Sequence, residues 1–388
     1  MSDDDSSRPR VACIKFVFLP ASEVFIADLL KGLRRYEPRV LAVSAPDLMG
    51  LAPDKVHALS ALDPVSRGLN RLALKVAHTC PHFSTVVQRE GVRLLHAQFG
   101  VEGLYGLRLK RSTRLPLITS FHGYDAYRLP RRQPGIYRQL FAEGDLFLTC
   151  AQSVRKQLLR LGCPDGKIRV LPLGVNIDEI AFQERSLPES GAVNILQVGR
   201  MVEKKGIPYA LRAFAAVQRY HHQATLTIIG DGPERPAVEA LVRELGLRNV
   251  RLLGAQSHDV VLSEMQRAHI YLQPSVTALD GDSEGLPVTL MEAQASGLPV
   301  VATWHAGISE VVQEGKSGFL VSERNAHALA ERLRFLIEHP DLWASLGHTG
   351  RAVVEERFNI HRQAAALEDI YDEVLSAHLS LRPSDART

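Results

Sequence analysis

Residues 193–219 read VNILQVGRMVEKKGIPYALRAFAAVQR, and this stretch alone contains the repeating unit of the fold. An apolar run that ends at Gly199 predicts a strand, a basic loop follows it, and a helix is expected to begin near Ile207. Apolar strands that lead into helices are typical of parallel sheets covered on both faces. The stretch therefore predicts an α/β domain of the doubly wound type.

Strands and helices alternate in this way along most of the chain. In the first half we expect strands at 10–19, 92–99, 116–122, 145–151 and 168–174, and helices at 22–36, 64–90 and 152–161. In the second half we expect strands at 193–199, 224–230, 250–254, 269–275 and 298–303, and helices at 207–219, 233–246, 257–267 and 286–296. The polar segment 176–192 has the composition of a linker. We therefore predict two Rossmann-like domains, residues 1–185 and 186–360.

The composition is that of a globular protein, with 45% hydrophobic and 23% charged residues among 388. No apolar run approaches the roughly 20 residues that span a bilayer. The N-terminal stretch MSDDDSSRPR is polar and acidic, so we expect no secretory signal. The four cysteines show no paired spacing, which favours a reducing cytoplasm over a disulfide framework.

Charge is distributed unevenly. Residues 1–190 hold 27 Lys and Arg against 19 Asp and Glu, whereas residues 191–388 hold 19 against 24. Much of the basic excess lies in 106–116 and 127–139. These segments form either an ordinary solvated surface or a face that meets anionic lipid or an anionic acceptor. No aromatic-rich basic stripe or nucleic-acid motif is present, so we expect no nucleic-acid partner.

Ligands bind at the C-terminal ends of strands in open α/β sheets, so the loops after the strands are the candidate sites. The loop at 198–206 contains Gly199, Arg200, Lys204 and Lys205 before the helix. Basic side chains at a helix N-terminus can hold an anion, and a diphosphate suits a bidentate Arg together with a Lys. The alternative is a basic turn whose charges lie in water.

A second loop, IIGDGPE at 228–234, places Asp231 and Gly232 directly after a strand. Glycine permits close approach of a ligand or of another backbone, so this loop is either part of a ligand site or a plain turn. No G-x-G-x-x-G follows any strand, which disfavours a bound NAD or FAD.

A third candidate is GDSEGLPVTLMEAQASGLPVVAT at 281–303, in which Pro287 is expected at the first helical position. Glu284 would then lie in the loop and Glu292 in the helix, on the order of 10 Å apart. Carboxylates so separated could bind hydroxyls at the two ends of a nucleotide-diphosphate-sugar, with backbone N–H groups meeting phosphate between them. Alternatively, Glu292 is a surface residue and Glu284 interacts with the helix dipole.

His122 ends a predicted strand in SFHGYDAY, where it either contacts a sugar hydroxyl or serves as a structural histidine. Asp280 and Asp282 form a D-x-D pair, which is weak evidence for a divalent metal. His, Cys and His within 78–83 lack a fourth zinc ligand. We therefore expect no metal site.

Three segments of the second half, GRMVEKKG (199–206), GDGPE (230–234) and SEGLPVTLMEAQASGLPVVAT (283–303), together resemble the donor half of retaining glycosyltransferases of family 4. That family has the GT-B fold, with two Rossmann-like domains facing across a cleft, and the E-x(7)-E element is its hallmark. FHGYDAY (121–127) and VLPLGVN (170–176) resemble its acceptor half and hinge. FLPASEVFIADLL (18–30) and HAQFG (96–100) are similar to bacterial exopolysaccharide enzymes of the colanic acid and amylovoran type.

The resemblance implies a metal-independent, retaining hexosyltransferase that needs no cofactor and uses a UDP- or GDP-sugar as donor. Arg200 and Lys205 would neutralise the departing diphosphate. Glu284 would bind the donor sugar, Glu292 the ribose, and His122 would contact the sugar near its anomeric carbon.

The resemblance also implies that the amides of Gly285 and Leu286 complete the donor site. PASEVF replaces the Gly-rich loop of many relatives, so Ser22 and Glu23 would line the cleft instead. The helix in 361–388 would cross back to the first domain, ahead of a polar tail.

The implied acceptor is a saccharide, free or linked to polyprenyl diphosphate, in exopolysaccharide or lipopolysaccharide assembly. The basic first domain would then touch the cytoplasmic face of the membrane. Two alternatives remain open, a GT-B phosphorylase and a non-catalytic sensor of sugar nucleotides.

Overall fold

The computed structural model describes residues 8–18, 23–48 and 50–380, and the chain divides into two units. One unit comprises Val175–Asn359, and the other comprises the chain up to Gly174 together with the residues from Ile360 onward. Each unit is an α/β structure built on a parallel sheet, which confirms the predicted fold class.

The first unit has its strands in the order β3-β2-β1-β4-β5-β6-β7 in the described part of the chain. These strands are, from β1 to β7, Arg10–Ile14, Glu37–Ala42, Val56–Ala58, Val92–Ala97, Leu117–Phe121, Leu146–Thr149 and Ile168–Val170. The helices of this part, from α1 to α7, are Val24–Gly32, Pro64–Ala77, Pro81–Arg89, Gly100–Thr113, Tyr124–Arg132, Arg138–Glu143 and Gln152–Arg160. Helices on a parallel sheet explain why its strands are almost continuously apolar.

The second unit is a parallel sheet in the order β10-β9-β8-β11-β12-β13. These strands, from β8 to β13, are Asn194–Val198, Thr225–Ile229, Val250–Gly254, Ile270–Gln273, Val300–Thr303 and Gly318–Val321. Its helices, from α8 to α14, are Ile207–Gln218, Arg235–Glu244, His258–Arg267, Val288–Ala295, Ile308–Val311, Ala326–Glu338 and Trp343–Arg357. The strand order reverses between β8 and β11, and such a switch point is where doubly wound sheets bind ligands.

The last helix, α15 (Ile360–Ser380), packs on α1 in the first unit. Leu367 and Tyr371 are fully buried in the core of that unit. The Glu368 carboxylate accepts hydrogen bonds from the backbone N–H groups of residues 34, 35 and 36, at 2.7, 2.5 and 3.2 Å. An apolar face and a buried polar anchor therefore attach the C-terminal helix to the N-terminal half of the sequence.

The boundary between the units lies about ten residues before the predicted position of 185/186. Arg185 is buried in the second unit, where its guanidinium donates to the carbonyls of Met265, Gln266 and Ser296. Ile180 is also buried. The polar composition of 176–192 predicted a linker, but these tertiary contacts assign its first part to the second unit.

Three strands, β2, β3 and β13, were not predicted from the sequence. In β2 the cause is charge, because Glu37 and Arg39 are both buried and paired at 2.8 Å. Burial alone would raise the pKa of Glu37, but Arg39 and Arg10 outweigh it and lower that pKa to about 2. A strand with buried ion pairs of this kind lacks the apolar run by which strands are recognised in a sequence.

The predicted continuous helix at 64–90 is wrong. Helix α2 ends where His78 adopts a left-handed conformation (φ 53°), and α3 begins at Pro81. Proline has no N–H to continue a helix and restricts the residue before it to extended conformations.

Candidate functional site

The loops after β8 and β11 flank the switch point of the second unit and pack tightly against each other. Gly206 closes the first loop with φ 64°, and a Cβ there would lie 1.8 Å from the carbonyl oxygen of Pro274. The Val276 amide donates to the carbonyl of Lys204 at 2.9 Å. Only glycine fits at 206, because the position requires both a left-handed backbone and no side chain.

This packing brings Lys205 of the first loop to Glu284 of the second. The Lys205 Nζ lies 2.7 Å from the Glu284 Oε1, and both side chains are largely buried. The Lys205 backbone is held in turn, because its carbonyl accepts from Gln197 at 2.9 Å. The two residues that the sequence placed 79 positions apart in separate motifs therefore form one ion pair.

The Lys205–Glu284 pair keeps the carboxylate ionised despite its burial. Burial would raise the pKa of Glu284, but Lys205, then Lys204, outweigh it and lower the pKa to about 2. At neutral pH Glu284 is thus a hydrogen-bond acceptor that can receive a donor such as a sugar hydroxyl.

The backbone of Glu284 is fixed by His305, which sequence reasoning missed. The Glu284 N–H donates to His305 Nε2 at 3.1 Å, so His305 carries its proton on Nδ1 and donates to Glu323 at 2.6 Å. The other Glu323 oxygen accepts from the Thr277 amide at 2.8 Å. His305 follows β12 almost directly, and a search of every loop after a strand would have found it.

Lys204 points to the D-x-D segment. Its Nζ lies 3.1 Å from Asp282 and 3.3 Å from the carbonyl oxygen of Ser283. Asp282 therefore neutralises a lysine, and Asp280 accepts the Asp282 amide at 3.0 Å. Among the residues that the structure describes, no group of three or more His, Cys, Asp or Glu side chains is arranged to hold a metal ion.

The alternative that the basic loop has all its charges in water is wrong for its two lysines. Arg200 differs, because its side chain is exposed and its guanidinium forms no ion pair within the described part of the chain. The amides of Gly285 and Leu286, in the loop just before α11, donate no hydrogen bond to any group in the described ranges. A guanidinium and two N–H groups are thus left to bind an anion.

Glu292 is not the surface residue that one interpretation predicted. It is 6% exposed, and its Oε1 lies 2.8 Å from the His258 Nε2 at the start of α10. Helix α11 is buried from Leu290 to Ala295, so Glu292 is held within the unit. Pro287 precedes the helix as its N-cap, one position before the predicted place.

The glycines of the 228–234 loop are explained by the packing of one backbone on another. A Cβ on Gly230 would lie 2.0 Å from the carbonyl oxygen of Gly199, and one on Gly232 would lie 2.5 Å from that of Met201. Asp231 is exposed, accepts from the Gly232 amide at 2.7 Å and pairs with Arg235 at 3.0 Å. This loop supports the position of the 199–201 backbone.

His122 directly follows β5 in the first unit and lies between the rings of Phe25 and Phe99, whose centroids are 5.2 and 4.7 Å away. Neither ring nitrogen makes a well-formed hydrogen bond within the described residues. Burial lowers the pKa of His122 to about 4, while the Gln98 backbone has a smaller opposite effect. The imidazole is therefore neutral at physiological pH.

Sequence comparison identifies relatives that align over about 70% of this chain. The chain is 33% identical over 281 residues to the amylovoran biosynthesis glycosyltransferase AmsK of Erwinia amylovora, covering 71% of this chain and 69% of AmsK. It is 36% identical over 282 residues to WcaL of Salmonella typhimurium, which is named for glycosyl transfer in colanic acid biosynthesis, covering 70% and 69%. The family pattern "Glycosyltransferase Family 4" matches residues 22–179, and "Glycosyl transferases group 1" matches residues 178–353.

The chain belongs to the family 4 glycosyltransferases. Solved structures agree with this assignment at the level of fold. The Anabaena protein HepE, in complex with UDP and glucose, superposes with a TM-score of 0.76 at 18% identity, covering 94% of this chain and 100% of HepE. A sucrose-phosphate synthase from Thermosynechococcus elongatus gives 0.75 at 21% identity, covering 95% and 100%. The predicted GT-B fold is confirmed.

Glu23, which the glycosyltransferase resemblance placed in the cleft, lies in the first unit just before α1. Its carboxylate is 3.1 Å from the Nζ of Lys15, which also lies 3.5 Å from Glu102. Burial raises the pKa of Glu23, and Lys15 opposes that effect. Ser22 lies outside the described residues.

Proposed function

We propose that this glycosyltransferase moves a hexose from a nucleotide-diphosphate-sugar to an acceptor hydroxyl and retains the configuration of the anomeric carbon. The observation that carries this proposal is the buried Lys205–Glu284 pair beside two unused backbone amides. A lysine, unused amides and an ionised carboxylate together suit a ligand with a phosphate next to a hydroxyl-bearing ring.

We assign the contacts to the sugar-nucleotide donor in two groups, those to the diphosphate and those to the hydroxyl groups. Arg200 and Lys205 bind the diphosphate, together with the amides of Gly285 and Leu286 in the loop just before α11. Glu284 accepts hydrogen bonds from the donor sugar. Lys205 lies against that carboxylate and so reduces the repulsion between Glu284 and the diphosphate.

Glu292 binds the ribose hydroxyls. Its burial and its contact with His258 leave one carboxylate oxygen for a hydroxyl donor, since the His258 contact is to Oε1. Asp231 and Gly232 act indirectly through the loop that they support.

In the transfer step, the bond between the anomeric carbon and the diphosphate oxygen breaks as the acceptor oxygen forms its bond to the same face. The acceptor proton passes to the departing phosphate, so atoms and charge balance. Charge builds on that phosphate, and Arg200, Lys205 and the helix N-terminus stabilise it without a metal. His122 acts from the first unit as a neutral imidazole that binds a sugar hydroxyl.

The names of the relatives support a role in bacterial exopolysaccharide assembly. The nucleotide is proposed to be UDP or GDP, with UDP supported by the ligand of HepE. The acceptor is a saccharide, free or carried on polyprenyl diphosphate, and the enzyme works in the cytoplasm with peripheral contact to an anionic membrane.

A hydrolysis screen across UDP- and GDP-sugars tests the proposal, because transferases release nucleotide slowly when water replaces the acceptor. We expect release from one donor class by the wild type and a strong loss in Arg200→Ala. Arg243→Ala, a change on α9 away from the switch point, is the matched control and should keep the rate. Nucleotide release that is unchanged in Arg200→Ala would refute the assigned anion site.

Two other functions predict different results. A sensor would bind a sugar nucleotide, which a thermal shift detects, without releasing any nucleotide. A GT-B phosphorylase would release sugar phosphate from a disaccharide with phosphate alone.

A further inference from the structure

Helix α2 of the first unit exposes a stripe of apolar side chains. Val65, Leu69, Leu72 and Val76 are 71%, 64%, 58% and 75% exposed. At 100° per residue, these positions fall within an arc of about 60° on the helix surface. Leu74, the buried residue of α2, lies on the opposite side. The stripe therefore points away from the protein and is contiguous along three turns.

The charged side chains of α2 itself are all basic. Lys75 lies about 90° and Arg71 about 130° from the centre of the stripe, on the polar side of the helix. Both are exposed, and neither forms an ion pair with any described residue. Helix α2 contains no Asp or Glu. Asp63, the acidic residue just before it, accepts the Val65 and Ser66 amides at 3.0 Å each as the N-cap.

We propose that α2 is a membrane-docking helix that lies in the interface of an anionic bilayer. Helices that bind there combine an apolar face with Lys and Arg beside it, which is the pattern of α2. No helix in the described ranges is long and apolar enough to span a bilayer, so this contact is peripheral. The inference deepens the membrane contact in the proposed function and rests on it, but it is independent of the donor chemistry.

Charge argues against a second copy of the chain as the occupant of this stripe. A two-fold interface would place the same face against itself and so bring together two helices whose own charged side chains are all basic. Like charges in such a contact oppose association, whereas anionic headgroups attract them. A bilayer also covers a narrow stripe without a complementary protein surface.

The basic segments that the sequence suggested for this role are partly neutralised within the fold. In 106–116, Lys110 pairs with Asp145, and Arg111 pairs with Glu143 at 2.6 Å. We therefore assign the membrane contact to α2 rather than to 106–116, because basic charge and exposed apolar surface occur together on α2.

Thiol labelling of the full chain tests the insertion directly. All four native cysteines are buried, so Leu72→Cys adds an accessible thiol for a polarity-sensitive dye. Vesicles of equal parts phosphatidylglycerol and phosphatidylcholine should shift the dye emission to the blue. Leu379→Cys is the matched control, an exposed leucine on α15 of the same unit, and its dye should not respond. Equal response at both positions, or none at Leu72→Cys, would overturn the proposal.

Co-sedimentation with the same vesicles measures the energetics. Leu69→Ser with Leu72→Ser should weaken partitioning by at least about tenfold, because two apolar contacts with the bilayer are lost. Leu379→Ser should leave partitioning unchanged, and Lys75→Gln should weaken binding only to vesicles that contain phosphatidylglycerol. An unaltered Tm in each variant shows that the fold is intact.

Two outcomes separate the possible failures. In one outcome the wild type does not bind vesicles but forms a dimer in light scattering, and Leu69→Ser with Leu72→Ser dissociates that dimer. The partner of the stripe would then be a second copy of the chain and not a bilayer. Nucleotide release in the absence of vesicles should be equal in the wild type and the double variant. If the wild type binds vesicles but releases no nucleotide, the docking helix stands and the transferase proposal fails.

Discussion

Replacing Lys205 by Ala should damage both the stability and the activity of the protein, and a second substitution should separate the two. Lys205→Ala leaves Glu284, which is 6% exposed, without its nearest counter-charge. Glu284→Gln in the same chain removes the uncompensated charge but does not restore the lysine. We therefore expect the double variant to recover stability and not activity.

The magnitude follows from the pKa of Glu284. A shift from 4.5 to about 2 corresponds to about 3 kcal/mol of stabilisation of the ionised carboxylate in the fold. Removing one partner of a buried ion pair typically costs roughly 3–5 kcal/mol of stability, which agrees with this value. Because the folded pKa is the lower one, this contribution is present above pH 4.5 and is lost as the pH falls towards 2.

Activity should fall for a different reason. If Lys205 stabilises the departing diphosphate, its loss should lower kcat by about 10²–10³, as for removal of one oxyanion donor. KM should change less, since the interaction is stronger in the transition state.

Fluorescence reports on the relevant unit, because both tryptophans, Trp304 and Trp343, lie in the second one. With an m-value of about 2–3 kcal/mol per M, the urea midpoint of Lys205→Ala should fall by roughly 1 M. The midpoint should recover in the double variant, while nucleotide release stays low in both. An unchanged kcat in Lys205→Ala, or a double variant no more stable than the single one, would refute the reasoning.

Three further predictions concern other parts of the fold. Gly206→Ala should destabilise the second unit by more than about 2 kcal/mol, because the added Cβ would meet a backbone oxygen. Gly246→Ala is the control, with a similar φ and open space around it, and should cost about 1 kcal/mol. Equal urea midpoints for the two variants would contradict this. Glu368→Ala should cost about 2–3 kcal/mol by leaving three amides after α1 unpaired, whereas Asp369→Ala at an exposed position should cost under about 1 kcal/mol in thermal unfolding. The wild type should lose stability as the pH falls from 6.5 to about 4, because protonation of His122 favours the unfolded chain, and His122→Gln should reduce that loss. Urea unfolding followed by circular dichroism at several pH values measures this, and an unchanged pH dependence would contradict it.

Much of the fold could be predicted because apolar strands and turn residues are local signals. The strand at 250–254 and the four helices predicted in the second half agree with the structure to within a few residues at each end. Local signals failed where charged side chains are buried in ion pairs, as are Glu37 and Arg39 in β2. They also failed at residue 185, where an arginine in a polar segment binds three distant carbonyls.

Individual candidate site residues could be selected from the sequence, but the contacts between them could not be predicted. Lys205, Glu284 and Glu292 could each be selected from a loop or helix that follows a strand. The sequence alone left a solvent-exposed role open for Lys205 and Glu292, and the burial of both side chains removed that alternative. His305 and His258 were missed because neither belongs to a charged motif and each acts through a contact with a distant glutamate.

By itself, the order of strands, glycines and charged loops determined two doubly wound domains and the segments that hold the donor motifs, because those features depend on neighbouring residues. Only the tertiary structure decided which charges meet. The reversal of strand order between β8 and β11 brings the two loops together, and there Lys205 keeps the buried Glu284 ionised. The apolar stripe of α2 is likewise visible only when the fold shows which side of the helix remains uncovered.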